Sequence, residues 1–508
     1  MATESTDVVF ELPDSTYEQF TWELNEHMSS SLAPLPATIE LAAAVDDDGL
    51  PYRIVVNGYT YMRPGGQPPF SRLEPETVDD ILGWADEWVP QVESLATSYE
   101  RFDPSTVAAG DWATTIAAQQ AESTRVFIGV HSRAVGQSGL SAARFTRRYR
   151  QHFGEDRSED GFALLQGVAN LTSDRIGELW AIGRTLRSHP MLVEQLRAGG
   201  DPFAISGDGA SELQRALSAL LDRFGHTTQS GLEDLPSWYD DPSQIVGLLL
   251  TYAGQDEVAS PHHAEGRSAQ RREALETTLR AVAESEGGEA AELLALLPLA
   301  QTLVPATENH NLLADQRLHV ASGKRWLLIG EHLQGRGALD DAANVFYLTI
   351  DELLETLEGG EGPAATVLEA RRASQVAWRS VVPPSSLGAA PEGVDVDPGQ
   401  LPEQLKGLAA SGGQYRGVAR VANSVEDAQR LKQGEVLVCV ASTPEWTPLF
   451  AIAGAVITDI GGSLAHCAIV AREYGIPAVI ATRFATRDIA DGAIVTVDGS
   501  AGVVSVEG

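Results

Sequence analysis

The sequence predicts a multidomain α+β protein: a large, mainly α-helical body followed by a compact α/β domain at the C-terminal end. Three observations predict it. Apolar residues recur at three- and four-residue steps, as in Ile81, Leu82, Trp84, Trp88, Val92, Leu95 and again in Leu213, Leu217, Leu220, Leu221, Phe224, and similar patterns run to Val381. Between Pro383 and Pro402 the composition turns to Pro, Gly, Ser and Asp. Beyond that, runs of strand length alternate with short helical segments.

Taken in order, residues 1–75 mix Pro, Gly and aromatic residues, and the alternation of Tyr52, Ile54, Val56 with Tyr59, Tyr61 across Asn57-Gly58 predicts a hairpin with a two-residue turn. We read this part as a small irregular or β-containing lobe. Residues 76–382 form the helical body, roughly ten helices by periodicity, with polar or Gly-rich breaks at 154–160, 198–210, 254–268, 285–289 and 358–364. Residues 383–410 read as an exposed, flexible linker, because Pro383 to Pro402 has too little apolar surface to order itself. Residues 411–508 contain strand candidates at Gly417–Val421, Glu435–Cys439, Ala455–Thr458, Ala478–Ile480 and Ile494–Val497. Helical segments lie among them.

Composition excludes several classes. With 71 acidic against 36 basic residues the formal charge is -35, which repels nucleic-acid backbones and anionic membrane surfaces. The two cysteines, Cys439 and Cys467, make no disulfide framework and fit a reducing cytoplasm. The acidic N-terminus is followed by no signal-peptide core, and no stretch approaches the roughly 20 uninterrupted apolar residues of a membrane span. We therefore expect a cytoplasmic protein with neither nucleic acid nor membrane as a partner.

The chemistry concentrates in one stretch. The apolar run Val456–Thr458 ends at Gly461-Gly462, and His466 then opens a segment of helical spacing. A helix N-terminus offers free N–H groups and a favourable dipole to anions, and the paired glycines let backbone approach a phosphate-sized ligand. An imidazole there can carry a phosphoryl group; the alternative is a buried structural histidine at a strand-to-helix turn. In the body, Glu308, His310 and Asn311 fall within four residues on a predicted helix start. They can act as base and acid toward a hydroxyl or orient a substrate, or they can be a polar helix cap facing solvent. The adjacent His262 and His263 lack zinc spacing and read as a solvated loop, and Cys467 reads as a small apolar helix residue.

The run TDIGGSLAHCAIVAREYGIPAVIAT resembles the phosphohistidine signature of the phosphoenolpyruvate-utilising enzymes. Three further stretches resemble the rifampin-phosphotransferase branch of that family. They are Phe224-Gly225-His226 with Trp238 and Asp241-Pro242, the run from Ala306 to Leu353, and, more weakly, Trp22 to His27 with Asn57-Gly58-Tyr59. The resemblance implies that residues 411–508 are a β/β/α swivelling domain, hinged by the linker, in which His466 receives a phosphoryl group at one site and delivers it at another. It implies catalytic roles for His466, Glu308 and His310, and phosphate or substrate contacts from Gly461, Gly462, Asn311, Arg472 and His226. Where the branch has Arg-Gly after the histidine matching His226, this chain has Thr227-Thr228, so an anion contact from that arginine is expected to be lost.

The chain shows no Walker-type loop and no glycine-rich strand-turn-helix fingerprint. The phosphoryl donor is therefore expected to be a separate ATP-grasp subunit or protein, with ATP and Mg²⁺ acting there and no metal-ligand set in this chain. The acceptor is expected to be a small alcohol or enol bound by the body. Two alternatives remain at this level: a dehydratase that phosphorylates an alcohol and then eliminates phosphate, and a non-catalytic anion-binding or regulatory member of the fold. The acidic charge further suggests that the charging partner presents a basic face.

Overall fold

The computed structural model describes residues 8–25, 31–41, 51–63, 82–154, 157–228, 232–255, 260–379, 381, 383, 384, 386–389, 404–422, 425–428, 430–442, 446–462 and 466–507. Ile81, His27, the middle of the expected linker (390–403) and residues 463–465 of the histidine motif lie outside these.

The hairpin forms where alternation placed it. Arg53–Val56 (β2) and Tyr59–Met62 (β3) flank Asn57 and Gly58, whose φ values of 52° and 76° are the two left-handed residues a type I′ turn requires. Thr21–Leu24 (β1) pairs with β3, and Ser386–Gly388 (β4) pairs with the other edge of β1, giving a sheet in the order β2-β3-β1-β4. The linker expected at 383–410 is thus corrected at both ends. Its start is a sheet strand held also by Thr21 Oγ1, which donates to the Ala389 carbonyl at 2.9 Å, and its end, from Gln404, is strand in the next domain. Leu387 packs against the core around Trp22, Ile54 and Tyr61, which supplies the apolar burial that the local composition lacks.

The body begins with Pro34–Leu41 (α1), whose Leu35 already lies in the body core. There follow Trp84–Glu100 (α2), Trp112–His131 (α3), Ser138–Phe153 (α4), Ser158–Ala163 (α5), Leu171–Arg187 (α6), Pro190–Arg197 (α7), Ala210–Phe224 (α8) and Val246–Gly254 (α9). Pro261–Glu286 (α10), Gly288–Leu303 (α11), Ala306–His310 (α12), Gln316–Gly335 (α13), Ile350–Leu357 (α14) and Ala365–Arg379 (α15) complete it. The body is more finely divided than periodicity suggested, because short pieces such as α5 and α12 add too few residues to show a period. His262 and His263 are in the first turn of α10, not in a loop: Pro261 stands at N1, where its missing N–H costs nothing.

Two π-helical turns interrupt the body, Ser132–Gln137 directly after α3 and Asn311–Asp315 between α12 and α13. Gly288–Gly335 is the one run among the described residues long and apolar enough to cross a membrane by length and composition. Its Leu293, Leu297, Ala300 and Leu303 are buried among other body helices, as in a core helix.

The C-terminal domain is an eight-stranded sheet in the order β5-β12-β11-β7-β8-β9-β10-β6. Its strands are Gln404–Lys406 (β5), Leu408–Ser411 (β6), Gln414–Val421 (β7), Val436–Cys439 (β8), Ala455–Thr458 (β9), Ala478–Ile480 (β10), Ile494–Asp498 (β11) and Val503–Glu507 (β12). β7 to β10 run parallel, and helices Val425–Ala428 (α16), Thr447–Phe450 (α17), His466–Tyr474 (α18) and Ala485–Asp488 (α19) connect or cover them. The central strands are apolar on both faces: Val436, Val438 and Ile457 enter one core, and Leu437, Cys439 and Val456 the other. The domain therefore owns both of its cores.

Candidate functional site

β9 ends at Thr458, and the next residue fixes the turn that follows it. The buried Asp459 carboxylate accepts from the Thr486 N–H at 3.0 Å and from the Thr486 hydroxyl, locking the end of β9 to α19. Gly461 then takes φ 134°, a conformation closed to most residues, and no described atom lies within 4 Å of where a Gly462 side chain would begin. These glycines leave open space just before α18, whose first residue is His466.

His466 faces the helical body. Its Nδ1 lies 3.2 Å from Glu308 Oε2, across 158 residues of sequence, and the two side chains are only 12% and 11% exposed. A carboxylate can only accept, so Nδ1 carries a proton, and in the neutral ring the lone pair is therefore on Nε2. Glu308 is held from the other side by Thr172 Oγ1 at 3.4 Å. Asn309, beside it, accepts from the Leu171 N–H at 2.8 Å and pins the start of α6 against α12. Burial alone would raise the Glu308 carboxyl, but the charge and hydrogen bond of His466, then His310 and Thr172, outweigh it and hold the group below its usual range.

The expected partners of Glu308 separate. The segment does open a short helix, α12, with Pro305 at its cap and Glu308 in its first turn, set within the long Gly288–Gly335 run. His310 turns to Asp315, with Nε2 3.4 Å from Oδ2, and its Nδ1 lies 3.3 Å from the Ala306 carbonyl. Burial would lower the His310 pKa, but Asp315, Glu308 and the Ala306 carbonyl raise it; Asp315 is held well below the carboxylate range, against burial, by His131 and His310. Asn311 Oδ1 is buried without a hydrogen-bond partner among the described residues.

Arg472 and His226 are also placed elsewhere. Six residues beyond His466 on the same helix is about 120° around the axis and about 9 Å along it, and the Arg472 guanidinium lies 4.3 Å from the centre of the Phe162 ring on α5. Burial lowers its pKa to about 10. His226 sits past the end of α8, its ring edge-on to Tyr239 at 5.1 Å and its Nδ1 buried without a hydrogen-bond partner, with burial and then the Arg317 charge lowering its pKa. Cys467 is buried and its thiol is pushed up to about 12, chiefly by burial, so it is no nucleophile.

Comparison with known proteins assigns both sides of the contact. Residues 431–502, which include His466, match the PEP-utilising enzyme mobile domain. The chain carries the mobile domain of the phosphoenolpyruvate-utilising enzymes. Residues 131–308, from His131 to Glu308, match the fourth domain of rifampicin phosphotransferase. Among curated relatives, chondramide synthase cmdD of Chondromyces crocatus is 31% identical over 74% of this chain and 10% of its own length. Rifampicin phosphotransferase of Streptomyces sviceus is 28% identical over 70% of this chain and 42% of its own. The uncharacterized phosphotransferase YvkC of Bacillus subtilis is 27% identical over 70% of this chain and 44% of its own. The chain thus spans less than half the length of these relatives. Enzyme I (nEIt), a solution structure, aligns over 49% of this chain and 77% of its own at 18% identity, with a TM-score of 0.16, too low to bear on the fold.

In these terms the structure sets the mobile-domain histidine against the last residue of the matched fourth domain. It also brings in residues that sequence reading missed. Arg175 is 2% exposed, with its Nη1 3.4 Å from Thr227 Oγ1 and its guanidinium over Trp238, so the fourth domain has a buried arginine at Thr227 after all, supplied by α6. Its position four, seven and eleven residues before Leu179, Ile182 and Leu186 puts it on the apolar face of α6, a signal the sequence does contain. Thr172, one turn earlier, has no comparable signal, and neither do His131 and Asp315.

Proposed function

We propose that this chain is a phosphohistidine phosphotransferase component. In this reading the mobile domain carries a phosphoryl group on His466 Nε2 and delivers it to a hydroxyl of a small organic molecule bound by the helical body. The observation that carries it is the His466–Glu308 contact, which proton-loads Nδ1 and leaves Nε2 as the phosphoryl-bearing nitrogen. When the hydroxyl oxygen attacks, the P–O bond forms, the Nε2–P bond breaks, and its electron pair returns to Nε2. The departing group is then a neutral imidazole, with Nδ1–H still held by Glu308. In-line attack sets the hydroxyl on the far side of phosphorus from the ring, away from Glu308, so its proton passes to a phosphoryl oxygen and leaves with the ester; a loose phosphoryl transition state asks for positioning more than for a strong base.

ATP does not fit this arrangement. A buried carboxylate faces His466, and a nucleotide polyphosphate set against Glu308 would be repelled. Charging of His466, with ATP and Mg²⁺, is accordingly assigned to a second position of the mobile domain, on an ATP-grasp partner. Reaching it requires the domain to leave Glu308. We place the reaction in the cytoplasm, where the free buried thiols of Cys439 and Cys467 stay reduced.

The test is to incubate the chain with an ATP-grasp partner and β- or γ-labelled ATP. Acid-labile, base-stable label should appear on His466, be absent in His466→Ala, and leave the protein when acceptor is added. Mass analysis of the product then separates a phosphate ester from an alkene formed by loss of phosphate. Failure to label His466 with any ATP-grasp partner, with His466→Ala behaving as the unaltered chain, would sink the reading.

A further inference from the structure

We propose that His131, His310 and Asp315 form a binding site for a divalent transition-metal ion of zinc type in the wall beside Glu308. Three lone-pair donors converge there: His131 Nε2, His310 Nε2 and Asp315 Oδ2 all lie within 4.8 Å of one another. The Asp315 oxygen is 3.4 Å from each imidazole nitrogen. Ligand atoms about 2.0–2.1 Å from a tetrahedral zinc ion stand about 3.4 Å apart, so both carboxylate–imidazole spacings already match a coordination shell, and the two imidazoles need close only from within 4.8 Å.

The tautomers agree with this. His131 Nδ1 lies 2.9 Å from the Phe127 carbonyl and His310 Nδ1 lies 3.3 Å from the Ala306 carbonyl, in each case four residues back. A carbonyl only accepts, so both Nδ1 atoms carry hydrogen, and in the neutral rings both Nε2 atoms present lone pairs on the Asp315 side, where a metal can take them. A metal cation bound there takes the place of the protons that otherwise bridge these nitrogens to the Asp315 carboxylate. The Phe127 ring stacks on His131 at 3.7 Å and fixes its plane, and the two imidazoles meet at 80°, so their lone pairs converge instead of running parallel.

The backbone is shaped for the same purpose. Residues five apart on an α-helix are about 140° out of phase, which would turn Asp315 away from His310. The π-turn at Asn311–Asp315 has an i to i+5 repeat and brings the two onto one face, and a second π-turn begins directly after His131. Two histidines and one carboxylate leave a fourth position open, as in catalytic zinc sites. Magnesium, which prefers oxygen ligands, is disfavoured by the two nitrogens. On the phosphotransfer reading, that open position would take an oxygen of the acceptor or of the incoming phosphoryl group; metal binding itself does not depend on that reading.

The experiment uses the full, unphosphorylated chain stripped of metal. Titration with Zn²⁺ followed by calorimetry and elemental analysis should show one equivalent bound, at least about 100-fold more tightly than Mg²⁺. His131→Ala and Asp315→Asn should each weaken binding by at least about 100-fold while circular dichroism shows the helical content retained. A second measurement needs no variant: the Co²⁺-loaded chain should show two hyperfine-shifted, exchangeable imidazole N–H signals, one from each Nδ1–H. Absence of stoichiometric binding, binding that both variants retain, or fewer than two such signals overturns the proposal. Because His466 is not phosphorylated in any arm, failure here leaves the labelling test of the phosphotransferase reading untouched, and the converse also holds.

Discussion

The N-terminal sheet and the mobile domain both rest on the helical body, but by different chemistry. The sheet is tied down by burial and hydrogen bonds. Trp22 and Tyr61 are fully buried, Tyr59 Oη donates to the Trp378 carbonyl at 2.7 Å, and nearby Arg379 Nη2 donates to both carboxylate oxygens of Asp234 at 2.8 Å. The mobile domain brings two complete cores of its own and touches the body through the His466–Glu308 pair, the Arg472–Phe162 contact and the packing of α18 on α10. Val440 and Ile460, against the core of the sheet, are its apolar contribution to that core. A surface that owns its core can leave with little apolar cost, whereas one that completes a neighbour's core cannot.

The largest expected effect tests the carrier. His466→Ala should reduce phosphoryl transfer by at least about 10⁴-fold with thermal stability nearly unchanged, measured by turnover and melting in the same preparation. Trp22→Ala is its opposite: about 3–5 kcal/mol of stability lost, seen as a fall in the denaturation midpoint, with His466 labelling still possible in the folded fraction. If Trp22→Ala instead left stability untouched, the contrast between the two contacts would fail.

Glu308→Gln should lower kcat by on the order of 10²–10³-fold with the KM for acceptor little changed, because the carboxylate acts on the imidazole, holding Nδ1–H and its orientation. Equal label on His466 in this variant, with slow delivery, separates it from a charging defect. Phe162→Ala removes the ring beneath Arg472 and should weaken docking by about 1–2 kcal/mol, a shift of roughly five- to thirtyfold in the docked population. An interdomain distance measured by paired labels reads it.

The smallest effect is a dependence on pH. Contact with His466 holds the Glu308 carboxyl below its ordinary value of 4.5. The docked state therefore gains a stabilisation that is fully present above that value and is lost as pH falls through the depressed, docked value. The same distance measurement should report undocking on acidification only below pH 4.5. Docking left unchanged on acidification well below that value would show that the Glu308 carboxylate does not hold the domain.

Much of the mobile domain was legible, because its information is local. Val436 to Cys439 and Val456 to Thr458 are unbroken apolar runs of strand length, and Gly461-Gly462 before a helical segment is strong punctuation. Asn57-Gly58 likewise carried its hairpin. Less was legible where the chain borrows. Ser386–Gly388 reads as linker, since its order comes from β1, over 360 residues earlier. Arg472 reads as a phosphate ligand until the helix turns it onto Phe162, and Glu308, His310 and Asn311 read as one constellation although the structure divides them between two.

By itself, then, the sequence determined which residues are apolar and at what period, where the glycines permit a turn, and that a histidine stands at the start of α18. Those properties depend on neighbours within a few residues. Only the tertiary structure decided that Glu308 meets His466, that Asp315 turns back to His310 through a π-turn, and that His131, 179 residues before His310, completes that group. Such contacts depend on how helices pack and on one extra residue in a turn, and no local period records either.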